Sequence, residues 1–295
     1  MSIFAQHCFN RVFIVILPKL LMLIMIKAVF FDIDGTLVSF NTHQIPESTM
    51  FALNALRQKG IKIFIATGRS LNQMKRQEQL PAFDGYILLN GNYCMTDKGE
   101  VIFRNNIPPK DLEQLSEFHK THPFPVEFVY EDYETMTEQN ESVEQLWANV
   151  NIPVPPVVSM QDSSINGVFQ LGIFLSPEEE TKANIIERFM PNCESMRWCD
   201  GFFDVIPKGS KKSGGMDKFI SHFGIKLEET MAFGDGGNDI DMIKHAGIGV
   251  AMGNARDEVK AAADYVTTSV DDNGILNALI ESNILESQPK GIKTS

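Results

Sequence analysis

Lys27-Ala28-Val29-Phe30-Phe31-Asp32-Ile33-Asp34-Gly35-Thr36 decides the reading of this chain. The run from Ala28 to Ile33 reads as a buried strand, and two carboxylates two residues apart stand where it ends. In an open α/β sheet, ligands sit at the carboxyl ends of the strands. Asp and Gly are also ordinary turn residues, so D-x-D-G alone does not separate a site from a turn. The strand makes the difference. A carboxylate leaving an apolar strand is costly to desolvate without a cation or hydrogen bonds, and a divalent metal supplies that compensation. Magnesium, which takes a few carboxylates plus water and phosphate oxygens, suits an Asp-rich site without His or Cys ligands. Asp34 is placed to protonate a leaving oxygen and later to deprotonate a water. Gly35 lets the backbone turn tightly enough for its amides to face a phosphate.

Outward from this loop, strands and helices alternate. Pro46 opens a helix with Met50, Leu53 and Leu56 on one face, and Gly60 closes it. Ile61 to Ala66 and Tyr86 to Leu89 are the next strands, and parallel βαβ units under helices on both faces follow from the pattern. Between about 91 and 201 the texture changes to short alternating stretches, among them Val126 to Tyr130 and Val168 to Leu175. Ser176, Pro177 and Glu179 spell a capping box there. This segment reads as an inserted α+β domain whose strands form one antiparallel sheet. The alternation then resumes, with a helix near Gly214 to Phe223, strand Met231 to Phe233, helix Asn238 to Ala246 and strand Ile248 to Val250. A helix from Ala255 to Ala263 and a short strand, Tyr265-Val266, complete it. The expected organisation is a core of 25–90 and 202–286, an inserted domain of 91–201 and a tail of 287–295.

The first 24 residues are the awkward region, since Val12 to Leu17 and Leu20 to Ile26 are apolar and only Pro18-Lys19 divides them. A span needs roughly 20 apolar residues, and the second run merges into the buried strand, so a spanning helix would compete with the core. The preferred reading is an extraneous extension ahead of a start at Met25, with an uncleaved membrane anchor as the alternative. The net charge of −12 repels polyphosphate backbones and disfavours nucleic acid as a partner. The four cysteines form no C-x-x-C pair, so reduced thiols in a cytoplasmic protein are expected rather than zinc or disulfides.

Three further stretches carry chemistry. Thr67-Gly68-Arg69-Ser70 sets a hydroxyl and a glycine between a strand end and a helix start, where anions are favoured; a plain helix cap is the other reading of Thr67. Pro207-Lys208-Gly209-Ser210-Lys211-Lys212-Ser213 is a basic cluster in an acidic chain, and one of its lysines could neutralise a transferring phosphoryl group. Phe233-Gly234-Asp235-Gly236-Gly237-Asn238-Asp239 again follows an apolar strand. Asp235 is positioned to hold a metal, Asn238 to donate to phosphate, and Asp239 to hold metal-bound water or the lysine.

In this order, FDIDGTL, ATGRS, the lysine loop and GDGGND resemble the four motifs of the haloacid dehalogenase superfamily, and GIGVAMGNA with ADYVT resembles its Cof-type sugar-phosphatase branch. The resemblance covers Met25 to about Glu286. It implies a Rossmann-like parallel-sheet core, a C2-type cap and aspartyl-phosphate chemistry with Mg2+. Asp32 would be the nucleophile and a metal ligand, and Asp34 the acid and base with its main-chain oxygen on the metal. Asp235 would complete the metal ligands, with Asp239 behind them. Phosphate would be bound by Thr67, Gly68, Lys212, Asn238 and the amide of Ile33. The family often has Ser-Lys-Gly at the third motif, so Lys211 stays an alternative to Lys212.

From 91 to 200 the chain has 7 Lys and Arg against 19 Asp and Glu, a formal charge of −12. A lid so acidic disfavours a second phosphate, and small monophosphorylated metabolites, chiefly hexose and pentose monophosphates, are the expected substrates. A phosphomutase, a flavin-pathway phosphatase and a receiver-like module without turnover are the rival readings. Arg104, Arg188 and Arg197 are too few and scattered for the first, and Asp34 argues against the last.

Overall fold

The computed structural model describes residues 25–75, 80–149 and 153–286. The apolar extension 1–24 and the tail 287–295 lie outside them, and no helix among the described residues is long and apolar enough to cross a membrane. In chain order the strands are β1 (Ala28–Phe31), β2 (Lys62–Ala66), β3 (Gly85–Leu88), β4 (Tyr93–Thr96), β5 (Val101–Arg104), β6 (Val126–Val129) and β7 (Glu134–Met136). Then come β8 (Gln170–Ile173), β9 (Cys193–Cys199), β10 (Phe202–Pro207), β11 (Thr230–Gly234), β12 (Ile248–Ala251) and β13 (Tyr265–Val266). The chain divides into two compact units at Phe64/Ile65 and Phe219/Ile220.

The first unit holds the described residues up to Phe64 and from Ile220 onward. Its strands run in the order β13-β12-β11-β1-β2, with β1, β11, β12 and β13 pairing in parallel. All four side chains of β1 are fully buried, which is why the strand reads as an unbroken apolar run. Phe30 stacks on Phe64 at 4.9 Å and Phe31 on Phe233 at 5.2 Å. Each buried phenylalanine contributes roughly 1.5–3 kcal/mol. The helix Glu47–Gln58 buries Leu53 and Leu56, as its spacing requires, and Gly60 follows it at φ +73°. The strand expected to reach Ile33 stops at Phe31. There the chain curls: the Ile33 carbonyl accepts from the amides of Thr36, Leu37 and Val38 at 3.3, 2.9 and 2.8 Å. The expected helix over Ala255–Ala263 narrows to Asp257–Lys260, and an apolar helix, Gly274–Glu281, goes unforeseen.

The second unit runs from Ile65 to Phe219. The end of β2 continues into it, with the Thr67 amide donating to Ile87 of β3 (2.8 Å). A separate five-stranded sheet has the order β7-β6-β8-β10-β9, with each pairing antiparallel. One of its faces packs an apolar core of Val126, Phe128, Leu171, Ile173, Phe203 and Val205. The expectation of a single antiparallel sheet across 91–201 is corrected at one point: β4 and β5 pair back along β3 instead. The capping box at Ser176 forms as read, with the Ser176 hydroxyl accepting from the Glu179 amide and the Glu179 carboxylate accepting from the Ser176 amide.

Candidate active site

In the first unit, adjacency of β1 and β11 sets the geometry. Their register pairs Phe31 with Phe233, and one residue later the Asp32 amide still donates to the Phe233 carbonyl (3.0 Å). Asp32 and Asp235 therefore leave the sheet side by side, at the carboxyl ends of neighbouring parallel strands. One oxygen from each of Asp32, Asp235 and Asp239 lies within 4.8 Å of the others, and all three residues are buried.

Their surroundings separate the three. Asp239 is fully buried, and its Oδ2 accepts from the amides of Asp235 (3.0 Å) and Gly236 (2.8 Å). It thereby fixes the glycine-rich turn that carries Asp235. Asp235 Oδ1 accepts from the Thr36 hydroxyl at 2.9 Å, and its Oδ2 from Asn254 Nδ2 at 3.4 Å. The same Asn254 amide donates to the Gly35 carbonyl (2.8 Å) while its Oδ1 accepts from the Val270 amide. Thr36 and Asn254 were not singled out by sequence reasoning, although both lie inside quoted motifs. Gly35 has φ +84°, and a Cβ on it would stand 2.2 Å from Asp235 Oδ2, so only glycine lets the first acidic loop approach the second. Asp34 is half-buried beside it, and Asn238 lies over Gly236 with its Oδ1 2.7 Å from where a Cβ would be.

Three close carboxylates repel one another unless donors or a cation neutralise them. The donor set is all oxygen, rich in carboxylate and free of His and Cys, which fits a hard divalent cation. Burial pushes the thiols of Cys94 and Cys193 up to about 12, away from the thiolate that is the nucleophilic form.

The second unit carries the remaining predicted residues. Thr67 is buried, its Oγ1 accepts from the Arg69 amide (3.2 Å) as a cap would, and its hydroxyl proton is left to donate elsewhere. Gly68 lies under the Asn90 amide, which a Cβ would meet at 3.3 Å. Lys212 is fully buried at the start of the helix Lys212–Phe223, whereas Lys211 is exposed and turns its carbonyl toward Gly91. A buried ammonium needs anionic or carbonyl partners to stay charged.

The family model described as haloacid dehalogenase-like hydrolase matches residues 29–279. A Bacillus subtilis (strain 168) protein named as a phosphatase, YkrA, is 34% identical over 262 residues, covering 88% of this chain and 99% of its own. The solved HAD subclass IIB sugar phosphatase BT4131 is 46% identical with a TM-score of 0.76, covering 88% of this chain and all of that one. The phosphatase BT1666 from Bacteroides thetaiotaomicron is 37% identical with a TM-score of 0.79, covering 88% of this chain and 96% of its own. Buried aspartates at the ends of adjacent parallel strands, and a family match that spans both of the loops carrying them, lead to one assignment: this chain belongs to the haloacid dehalogenase-like hydrolases and is a phosphoric monoester hydrolase.

Proposed function

We propose that the chain is a magnesium-dependent phosphatase of small phosphorylated metabolites, chiefly hexose and pentose monophosphates, acting in the cytoplasm through an aspartyl phosphate on Asp32. The observation that carries this reading is the buried cluster of Asp32, Asp235 and Asp239. Residues 91–201 act as the inserted C2-type cap of a core formed by 25–90 and 202–286. The sugar phosphatase BT4131, at 46% identity, supports the substrate class.

An Asp32 oxygen attacks phosphorus and the ester P–O bond breaks, with Asp34 giving its proton to the leaving oxygen. Asp34 then takes a proton from water, the resulting hydroxide attacks phosphorus, and the acyl-phosphate bond breaks to release inorganic phosphate and the Asp32 carboxylate. Magnesium, held by Asp32, Asp235 and the main-chain oxygen of Asp34, would supply the positive charge that lets an anionic nucleophile approach an anionic phosphoryl group. Asp239 holds the Asp235 loop in register through its amide bonds. Thr67, Gly68, Lys212, Asn238 and the Ile33 amide bind the phosphoryl oxygens; full burial of Lys212 favours it over Lys211.

Chelation tests the metal. Phosphate release from p-nitrophenyl phosphate should fall to background in excess EDTA and return on adding Mg2+ beyond the chelator. Unchanged turnover in EDTA would contradict the proposal.

A further inference from the structure

Leu89, Asn90 and Gly91 hold left-handed backbone one after another, at φ +51°, +53° and +99°. Asparagine and glycine tolerate that region, but leucine is disfavoured there and persists only where its surroundings overdetermine it. Here they do so from two sides. On one side, the amides of Leu89 and Asn90 donate to the carbonyls of Arg69 and Thr67 (3.1 and 3.0 Å), and the Asn90 side chain lies over Gly68. On the other, a Cβ on Gly91 would stand 2.2 Å from the Lys211 carbonyl oxygen, so only glycine lets the turn reach the start of the helix Lys212–Phe223. The turn therefore touches both the Thr67-Gly68 loop and the lysine loop, and all of these segments belong to the second unit.

Asn92 ties the two sides together. It is fully buried, and both polar atoms of its side chain are used. Nδ2 donates to the Leu89 carbonyl (2.9 Å), while Oδ1 accepts from Ser210 Oγ (2.7 Å) and from Asn105 Nδ2 (3.1 Å). One side chain thus joins the left-handed turn to the residue two ahead of Lys212. Packing fixes the body of the helix, where Gly215 sits on Ile87 and Gly85 under Phe219 with no room for a Cβ at either. Packing does not fix the loop before it, because a cavity of about 220 Å³ opens there, lined in part by Asn92, Asn105, Ser210 and Lys211. Hydrogen bonds hold that stretch instead. The Ser210 hydroxyl lies between Asn92 Oδ1 and the Pro207 carbonyl, at the other end of the same loop. Removing one partner from such a buried network costs the desolvation of the groups left behind.

We propose that Asn92 is a positioning residue for phosphoryl transfer: through Ser210 it sets where Lys212 stands relative to Thr67 and Gly68. The inference rests on the phosphatase reading and on Lys212 as a phosphate ligand. It gives a role to two side chains, Asn92 and Ser210, that act through Lys212 rather than on the substrate. The strained turn is the rigid piece between two anion-binding segments. A drift of about an ångström in a charged ligand weakens its hold on the phosphoryl group in the bound state and in the transition state alike.

The test follows p-nitrophenyl phosphate hydrolysis by the full chain with Mg2+, with inorganic phosphate as the competing ligand. Ser210→Ala should raise the inhibition constant of phosphate about fivefold and lower kcat/KM about tenfold. Ser210→Thr, which keeps the hydroxyl, should return both to within about twofold of wild type. Asn92→Ala should show at least the losses of Ser210→Ala, together with a lower Tm because the Leu89 carbonyl loses its side-chain donor. Asn105→Ala is the control for stability alone: it takes a donor from the same Asn92 oxygen but leaves the lysine loop tied, so Tm should fall while the inhibition constant stays at the wild-type value. Wild-type constants in Ser210→Ala, or an equal rise in Asn105→Ala, would overturn the positioning role and leave the phosphatase reading standing. Absence of hydrolysis by the wild type would overturn that reading and the role with it.

Discussion

Asp32→Asn should lower kcat by at least about 10³-fold on every phosphate ester tested, because an amide is a poor nucleophile at phosphorus and a weaker partner for a cation. The fold should survive. Asp32 is 93% buried beside two other acids, so removing one negative charge relieves repulsion, and Tm without metal should hold or rise. That pairing separates a chemical role from a structural one. A residue needed only for packing would lose stability and activity together, and a variant retaining more than about a tenth of wild-type kcat would rule out a covalent step at this position.

Gly35→Ala should be nearly as damaging for a different reason. The left-handed backbone costs an alanine about 1–2 kcal/mol. The larger effect is local: the new methyl would stand 2.2 Å from Asp235 Oδ2 and 2.5 Å from the Phe40 ring, so either the Asp34 loop or the Asp235 carboxylate must move. Displacement by about an ångström costs on the order of 10²-fold in kcat/KM, together with a weaker apparent affinity for Mg2+ in activity titrations. Gly60 is an internal control, since it shares the positive φ but has nothing within 4 Å of an added Cβ. Gly60→Ala should lose stability and keep its metal titration unchanged. Equal activity losses in the two variants would mean that strain, not collision with Asp235, explains the first.

Local patterning made part of this molecule legible. β1 announces itself because both faces are buried and every residue from Ala28 to Phe31 is apolar. The Ser176 capping box lies within four residues and needs no distant partner. The acidic loops stand out because carboxylates follow apolar strands.

What failed to show depends on pairing between distant segments. Nothing local tells β4 and β5 to pair along β3 rather than join the antiparallel sheet that starts at β6. Leu89 reads as the end of a strand, yet it sits at φ +51° because its amide is held by the Arg69 carbonyl and that of Asn90 by Thr67. Asn254 lies in a glycine-rich stretch that looks like a turn, and its hold on Asp235 and Gly35 spans 19 and 219 residues of chain. Acid counts misled more subtly: Asp111, Glu127 and Glu134 belong to the acidic 91–200 segment, but they are buried, and composition cannot distinguish a carboxylate inside from one in water.

The central claim is that phosphate is carried on Asp32, and a trapping experiment tests it directly. The full chain, turning over a saturating phosphate ester with Mg2+, is quenched in acid and reduced with borohydride, which converts an aspartyl phosphate to homoserine. Peptide mapping should find homoserine at position 32, and more of it in Asp34→Asn when the ester is p-nitrophenyl phosphate, whose leaving oxygen needs no proton from Asp34, so that loss of the base slows only the water step. Sustained phosphate release with aspartate intact at position 32 in both proteins, or with the label at another residue, would contradict the account.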